Sequence, residues 1–509
     1  MRSRGDWREG LPEEARGAVA GVGDVRAIRF DSRDVGPGDV FVCILGEHAD
    51  GHEYAARAVE AGAVAVVADA RRASDLAALP VPIVSVADTR RVLSSVAAAQ
   101  EGWPGERLTV VGITGTDGKS TTAFLTVAAL ERAGARVGLL STIESRIAGE
   151  VVPNPTRLTT QEAPFVQALL AQMVDAGCTH AVVEATSHGL ALHRLDDCRF
   201  DAAVFTNLSN DHLDFHGTLD EYRAAKARLF AMLDGPTSKR VRRAAVLNAD
   251  DPQWRFFARA THARKITYGL DSDADVLASD VMLWPDGATF MLATGEERED
   301  EIEASVRLPG RFNVSNAAAA VTVAAALGLD PMAAAAGVAA CAGVPGRMER
   351  IEGAPFEVIV DYAHTADALE KVLTMLRPLT EGRLIVVFGC AGERARDRRS
   401  GLGAAAARSA DLAVLTDEDP RSEPPEAIIE DIAQAMIGAG AVEGERFERV
   451  RPRRAAIARA LEAAEFGDLV LIAGKGHEST IEWAEGPEEW DDRAVAREEI
   501  ARRYGEQAT

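Results

Sequence analysis

Between an apolar run and a helical pattern the chain reads GITGTDGKSTT over residues 112–122. Leu108, Thr109, Val110 and Val111 before it are short and partly β-branched, the pattern of a buried strand. After it, Phe124, Val127, Ala128 and Leu130 fall at helical spacing between Ser120 and Arg132, and Gly134 reads as the helix stop. Gly115, Gly118, Lys119 and Ser120 therefore sit on a strand-to-helix turn, where backbone N–H groups and the helix N-terminus point at anionic oxygens. There Lys119 reaches outer phosphates and the Ser120 hydroxyl suits magnesium. Ile113 stands where the strict phosphate-loop pattern has Gly, so a plain glycine-rich turn is the rival reading. The strand–turn–helix context favours a nucleotide loop.

Two further groups have the chemistry to work beside such a loop. Glu184 ends the apolar strand Ala181-Val182-Val183, and an acid leaving a strand near phosphates is well placed to hold magnesium. Its alternative role is a strand-end carboxylate capping a neighbour. The next strand, Ala202 to Thr206, runs into Asn207, Asp211, His212, Asp214 and His216. Four ionisable groups among residues 211–216 point to metal or phosphate chemistry rather than a simple connection. Lys226 follows in YRAAKARLF, a helix whose Tyr222, Leu229 and Phe230 face a core; by itself it reads as a surface lysine.

These residues need a scaffold, and the rest of the chain supplies α/β units. A chain of 509 residues exceeds one core and implies roughly two to four domains. Hydrophobic content of 47% and charged content of 27% are those of a globular protein. A net charge of −23 argues against nonspecific binding to nucleic acid or anionic membrane, while local Arg and Lys can still meet an anionic substrate. Cys43, Cys178, Cys198, Cys341 and Cys390 form no CxxC pair and read as structural thiols in a reducing compartment. Residues 1–25 lack a signal-peptide core and no 18-residue apolar run occurs, so a cytoplasmic protein without membrane insertion is expected. Strand patterns alternate with Ala-rich helical patterns in three blocks, which implies parallel sheets. In the third block the polar clusters follow DYAH, FGCAGER, TDEDPRSE and GKGHE directly after strands, where open α/β sheets place ligands.

GITGTDGKSTT, EATSHGL, FTNLSNDHLDFHGTLDEYRAAKARLF, GRFNVSNAAAA, GRMER, DYAHTADALEKVL and GKGHE occur in that order. Together they resemble the Mur ligase family, from about Asp31 to Arg493, and most closely its branch that adds the third residue to the peptidoglycan stem peptide. The resemblance implies a three-domain α/β architecture: a UDP-sugar-binding domain over 1–106, a central phosphate-loop ATPase domain with a parallel sheet over 107–346, and a Rossmann-like amino-acid-binding domain over 347–509. It implies that ATP phosphorylates the carboxylate of a UDP-linked muramoyl dipeptide and that an amino acid's amine then attacks the acyl phosphate. Both steps develop negative charge, so metal ions and placed cations are the expected catalysts.

By that resemblance Gly115, Thr116, Asp117, Gly118, Lys119, Ser120 and Thr121 cradle ATP, with Lys119 on the phosphates and Ser120 on a first magnesium. Glu184 and His212 hold a second magnesium, and Lys226 matches the family's carbamylated lysine, in which CO₂ turns a cation into a carboxylate-like metal ligand. Lys119, His212 and Lys226 are the catalytic set. Asn313, Asn316, Arg347, Asp361 and His364 match nucleotide contacts. Ser32, Glu47, His48 and Ala49 match the uridine-diphosphate end of the substrate, and Thr159, Thr160, Ser187 and Arg194 its muramoyl-dipeptide end. Arg394, Asp419, Arg421, Gly474 and Glu478 match the incoming diamino acid. The resemblance further implies a monomer.

The chain departs from the family pattern at several points. Asp117 replaces Asn in the loop, Leu158 replaces an Asn before the Thr pair, and Leu192 replaces a common Gln. Ala391-Gly392-Glu393-Arg394-Ala395 replaces Gly-Gly-Asp-Arg-Asp, and Glu418-Asp419-Pro420-Arg421 replaces Asp-Asn-Pro-Arg. Retained Arg394 and Arg421 favour meso-diaminopimelate, which carries a distal carboxylate. The added charge of Asp419 favours the bare ammonium of lysine or ornithine. Another Mur-type ligase, or a degenerate nucleotide-binding relative, are the remaining alternatives.

Overall fold

The structure is a computed structural model that describes residues 5–46, 49–152, 158–209, 213–294, 300–393 and 396–505. His212, Glu47, His48 and Arg394 lie outside the described residues. The chain forms two compact units. One comprises Met1–Ser279, Met291–Ala304 and Ser315–Ala340; the other comprises Asp280–Phe290, Ser305–Val314 and Cys341–Thr509.

The first unit holds two sheets. The smaller has four parallel strands in sequence order, Ile28–Arg29, Asp39–Val42, Ala63–Asp69 and Ile83–Val86. Its apolar faces are covered by separate clusters, one around Trp7, Val40, Val67 and Leu93, the other around Phe41, Ala58 and Val66. In the larger sheet, Thr109–Thr114 lies between His180–Glu184 on one side and Phe200–Phe205 on the other, all parallel. Val137–Leu140 continues the first side, and Ala244–Asn248 and Arg264–Gly269 the second. The chain thus places Val137–Leu140 and then, between it and Thr109–Thr114, His180–Glu184 on one side before it crosses to Phe200–Phe205 on the other. Such a reversal opens a crevice at the carboxyl ends of the strands. The nucleotide-type loop, Glu184 and the segment starting at Thr206 all leave the sheet there. These strands are near-continuous apolar runs, as burial on both faces requires, and Val110, Val183, Phe200 and Phe205 belong to one core cluster.

The second unit has a six-stranded sheet in the order Glu349–Arg350, Glu357–Asp361, Leu469–Ala473, Leu384–Phe388, Leu412–Leu415 and Phe447–Arg449. The first pair is antiparallel and the others are parallel. The loops after Asp361, Phe388, Leu415 and Ala473 therefore emerge at one edge. All five cysteines are free thiols, four of them buried. Among the described residues, no helix is long and apolar enough to cross a membrane.

Candidate active site

In the first unit the turn after Thr114 is held by its neighbours more than by itself. Thr206 Oγ1 donates to Asp117 O at 2.7 Å, and Asn207 both accepts from Asp117 N at 2.9 Å and donates to Asp117 O at 3.1 Å. Thr116 N donates to Asn207 O at 2.9 Å. These bonds pin the backbone of Asp117 while its side chain stays exposed, which is how the loop accepts a carboxylate in place of an amide. Gly118 has φ +79° and starts the helix Lys119–Arg132; a Cβ there would sit 2.6 Å from Asn316 Oδ1. Asn316 also accepts from Thr122 Oγ1 at 3.1 Å, so the helix Arg311–Ala326 braces the turn from outside. Ser120 and Thr121 are buried at the helix N-terminus.

Lys119 Nζ donates to Thr116 O at 2.8 Å and to Gly115 O at 3.1 Å. Lys226 Nζ donates to the same Gly115 O at 2.6 Å and lies 4.4 Å from the centre of the Tyr222 ring. Lys226 is only 1% exposed, so its surface-lysine reading fails: the core-facing side of Leu219–Ala231 includes it. Two cationic side chains thus converge on one carbonyl oxygen. Strand register sets Glu184 level with Ile113, two residues before Gly115. Glu184 is buried; its Oε2 accepts from Thr142 Oγ1 at 2.8 Å, while Oε1 has no hydrogen-bond partner among the described residues. A buried, half-satisfied carboxylate at this edge is costly unless a cation meets it. That donor set, with the Ser120 hydroxyl, fits a hard divalent ion bound through oxygen.

A chain of hydroxyls continues from Glu184. Thr142 Oγ1 lies 2.9 Å from Thr159 Oγ1, and Thr160 Oγ1 donates to Glu184 O at 3.0 Å and lies 2.9 Å from Thr186 Oγ1. Ser187 is buried with its Oγ lacking a hydrogen-bond partner among the described residues. Arg194 is already engaged: its Nε and second terminal nitrogen contact Glu162 Oε1 at 2.9 and 2.7 Å, and it donates to Thr160 O at 3.0 Å. Leu158 is exposed and Leu192 half-buried near these groups in sequence. In the loops that follow the first two strands of the small sheet, Ser32 is buried and Ala49 is exposed, its carbonyl accepting from Gly46 N at 2.9 Å.

The second unit gathers its own set. Asp361 is buried and accepts from Met348 N at 2.8 Å and Ala363 N at 2.9 Å; burial pushes its carboxyl above the usual range, against the opposing pull of Arg347. Arg347 lies 4.4 Å over the Tyr362 ring, which packs 4.3 Å from His364 and 4.9 Å from His477. Burial and the Arg347 charge drive His477 down to about 3, so its ring is neutral. Asn313 Nδ2 donates to Pro309 O at 2.8 Å. Tyr362 Oη donates to Glu478 Oε1 at 3.0 Å, and Lys475 Nζ lies 2.7 Å from Asp419 Oδ1 and 2.6 Å from Glu478 Oε2. Arg421, in the left-handed region at φ +56°, donates its backbone N–H to Glu482 O and lies 3.8 Å from Glu393. Gly474 stays Cβ-free because Glu418 Oε2 would be 2.7 Å from such an atom.

Some of these determinants were not readable in the sequence. Lys475 sits inside GKGHE, where only Gly474 and Glu478 stand out as binding groups. Arg453 is fully buried, paired with Asp492 at 2.6 Å, and donates to Asp417 O and Ala473 O, tying two of the loops together. An arginine in an Ala-rich helical pattern carries no local signal of that role.

The chain matches the Mur ligase middle domain over residues 113–324, the Mur ligase glutamate ligase domain over 346–476 and the Mur ligase family catalytic domain over 24–101. A UDP-N-acetylmuramyl-tripeptide synthetase of Roseiflexus sp. (strain RS-1) is 47% identical over 487 residues, 94% of this chain and 95% of the relative. A UDP-N-acetylmuramoyl-L-alanyl-D-glutamate–2,6-diaminopimelate ligase of Streptomyces coelicolor is 43% identical over 491 residues, 96% of this chain and 95% of the relative. A solved structure of a ligase of that same name superposes with a TM-score of 0.67 at 31% identity, covering 99% of both chains. With a phosphate-type loop, a buried acid and a buried lysine on one sheet edge, and this identity along nearly its whole length, the chain belongs to the Mur ligase family of ATP-dependent, amide-bond-forming enzymes.

Proposed function

We propose that this enzyme joins a diamino acid, with meso-2,6-diaminopimelate favoured, to UDP-N-acetylmuramoyl-L-alanyl-D-glutamate, the step named in its relatives. The domains divide the work at 1–106, 107–346 and 347–509, for the UDP-sugar, ATP and amino acid respectively. ATP's terminal phosphoryl group passes to the substrate carboxylate, releasing ADP; the amine then attacks the acyl carbon and phosphate leaves. Lys119 and the backbone of Gly115 to Thr121 hold the phosphates, and Asn313, Asn316, Arg347, Asp361 and His364 the rest of the nucleotide. Thr159, Thr160, Ser187 and Arg194 orient the dipeptide, with Glu162 holding the Arg194 fork in place until a substrate carboxylate competes for it. Ser32 and Glu47-His48-Ala49 take the uridine diphosphate.

The observation that carries this reading is the shared use of Gly115 O by Lys119 and Lys226, beside the half-satisfied Glu184. Carbamylation of Lys226 would turn the second cation into an anion, and with Glu184, Ser120 and His212 it would supply oxygen and imidazole ligands. Magnesium held there would screen the charge that develops on the transferring phosphoryl group. For the amino acid, Lys475 already compensates Asp419, which removes the attraction to a bare ammonium and leaves Arg421 and Arg394 to select a distal carboxylate.

Purified enzyme with ATP, magnesium and UDP-N-acetylmuramoyl-Ala-Glu, offered diaminopimelate, lysine and ornithine separately, tests this. Phosphate release with diaminopimelate at the highest kcat/KM is the expected outcome. A preference for lysine or ornithine overturns the specificity, and no release with any of them overturns the activity.

A further inference from the structure

A second polar cleft of about 380 Å³ lies in the first unit, within the roughly 300–1,000 Å³ range of small-molecule sites. It is lined by Arg91 from the helix Thr89–Gln100, by Asp196, Asp197 and Arg199 from the segment before Phe200, by Arg228, and by Arg243. Arg228 is two residues beyond Lys226 on one helix, so the two project about 200° apart, and the cleft faces away from the nucleotide loop.

Arginines dominate this cleft. The carboxylates that meet them are Asp196, 3.1 Å from Arg228 and 3.9 Å from Arg91, Asp197, 3.4 Å from Arg199, and Glu106, 3.3 Å behind Arg199. Asp196 is shared, because His193 Nδ1 also lies 2.6 Å from it. Asp197 accepts from Ser95 Oγ at 2.8 Å, and burial raises its carboxyl above the usual range. Arg243 is engaged by neutral groups, the carbonyls of Leu233 and Gly235. Arg228 Nε is buried and has no hydrogen-bond partner among the described residues. Four guanidinium groups on one concave surface meet three carboxylates, Asp196, Asp197 and Glu106, so the cleft keeps an excess of positive charge in a chain whose net charge is −23. Planar forks of this kind match the oxygens of phosphate groups.

We propose that this cleft is an anion site, separate from the nucleotide loop, that takes a phosphate-bearing small molecule. It adds to the ligase reading and does not depend on it. The test uses the full-length Lys119→Ala enzyme, which weakens the nucleotide loop, titrated calorimetrically with inorganic pyrophosphate and, separately, with ADP in phosphate-free buffer. Saturable binding of either is expected, and which of the two binds more tightly tells a free phosphate from a nucleotide. Arg91→Glu, at a side chain 67% exposed, and Arg228→Gln, each added to Lys119→Ala, are expected to weaken it by about tenfold. Circular dichroism checks that each variant is folded. No saturable binding in Lys119→Ala, or binding that neither arginine variant changes, overturns the proposal.

Discussion

Lys475 lies between Asp419 and Glu478, 2.7 Å from one carboxylate and 2.6 Å from the other, with its side chain 1% exposed. Asp419 Oδ1 also accepts from Glu482 N at 3.0 Å, so the acid that replaces the family's Asn is bound on two sides before any ligand arrives. A buried cation shared by two acids is expensive to lose, since removal leaves both charges uncompensated. Lys475→Met is therefore expected to destabilise the enzyme by about 3–5 kcal/mol. Adding Asp419→Asn to that variant removes one orphaned charge and is expected to recover part of the loss. Urea denaturation of the two variants checks this; equal stability of both would show that Asp419 gains nothing from Lys475.

Glu418, beside this group, predicts a pH dependence. It is buried, its Oε2 lacks a hydrogen-bond partner among the described residues, and burial pushes its carboxyl up to about 7, against the pull of Arg453 and Lys475. The native state therefore holds a proton that the unfolded chain, with a carboxyl near 4.5, releases. Stability from this group is fully present below pH 4.5 and is lost as pH rises towards 7. Glu418→Gln, which keeps the shape of the protonated acid, is expected to flatten the stability profile across that window and to stabilise the protein at pH 8. Thermal melts at half-unit pH steps for both proteins provide the comparison, and parallel profiles would count against a protonated Glu418.

The sequence carries much of this site because its determinants are local. A β-branched run, a glycine turn and a helical pattern suffice to place Lys119 and Ser120, and Glu184 and Thr206 stand at strand ends by the same logic. The structure adds register, which no local pattern encodes: only the pairing of Ile113 with Glu184 and of Thr114 with Phe205 shows that three strand ends share one edge. Long-range partners were likewise hidden. Lys226 by itself reads as a surface lysine, yet it reaches Gly115, 111 residues away in sequence. Arg194 matches a position for the muramoyl-dipeptide, and only the structure shows Glu162 already paired with it. Asp419 reads as an added charge until Lys475 is seen against it.

The placement of Lys226 separates two roles for a buried lysine. If it only anchors Gly115 O, its loss costs stability and little else; if its carbamate is a metal ligand, its loss removes turnover. Lys226→Ala is expected to lower kcat by more than about 10³-fold, in the range for losing a group that organises charge in the transition state. Added acetate or formate is expected to restore a measurable fraction by supplying the missing carboxylate, with no matching rise in melting temperature. Full activity in the variant, or a rescue by chloride equal to that by formate, would contradict the ligand role.

Gly118 tests whether the turn's shape matters apart from its side chains. At φ +79° a side chain is strained, and a Cβ would meet Asn316 Oδ1 at 2.6 Å, close enough that Asn316 or the loop must move. Asn316 is held by Thr122 Oγ1, so the displacement falls on the turn and tilts the backbone N–H groups proposed to hold the phosphates. Gly118→Ala is thus expected to cost about 1–3 kcal/mol in stability, as for other strained backbone positions. Its larger effect is expected on nucleotide use, with kcat/KM for ATP falling about 100-fold, since a misplacement near 1 Å has that scale of consequence. Pairing Gly118→Ala with Asn316→Ala relieves the contact but not the dihedral strain. Recovery of ATP kcat/KM in that double variant assigns the defect to the side-chain clash, and its absence assigns it to the backbone; an unchanged kcat/KM in Gly118→Ala alone would mean that ATP does not use this turn.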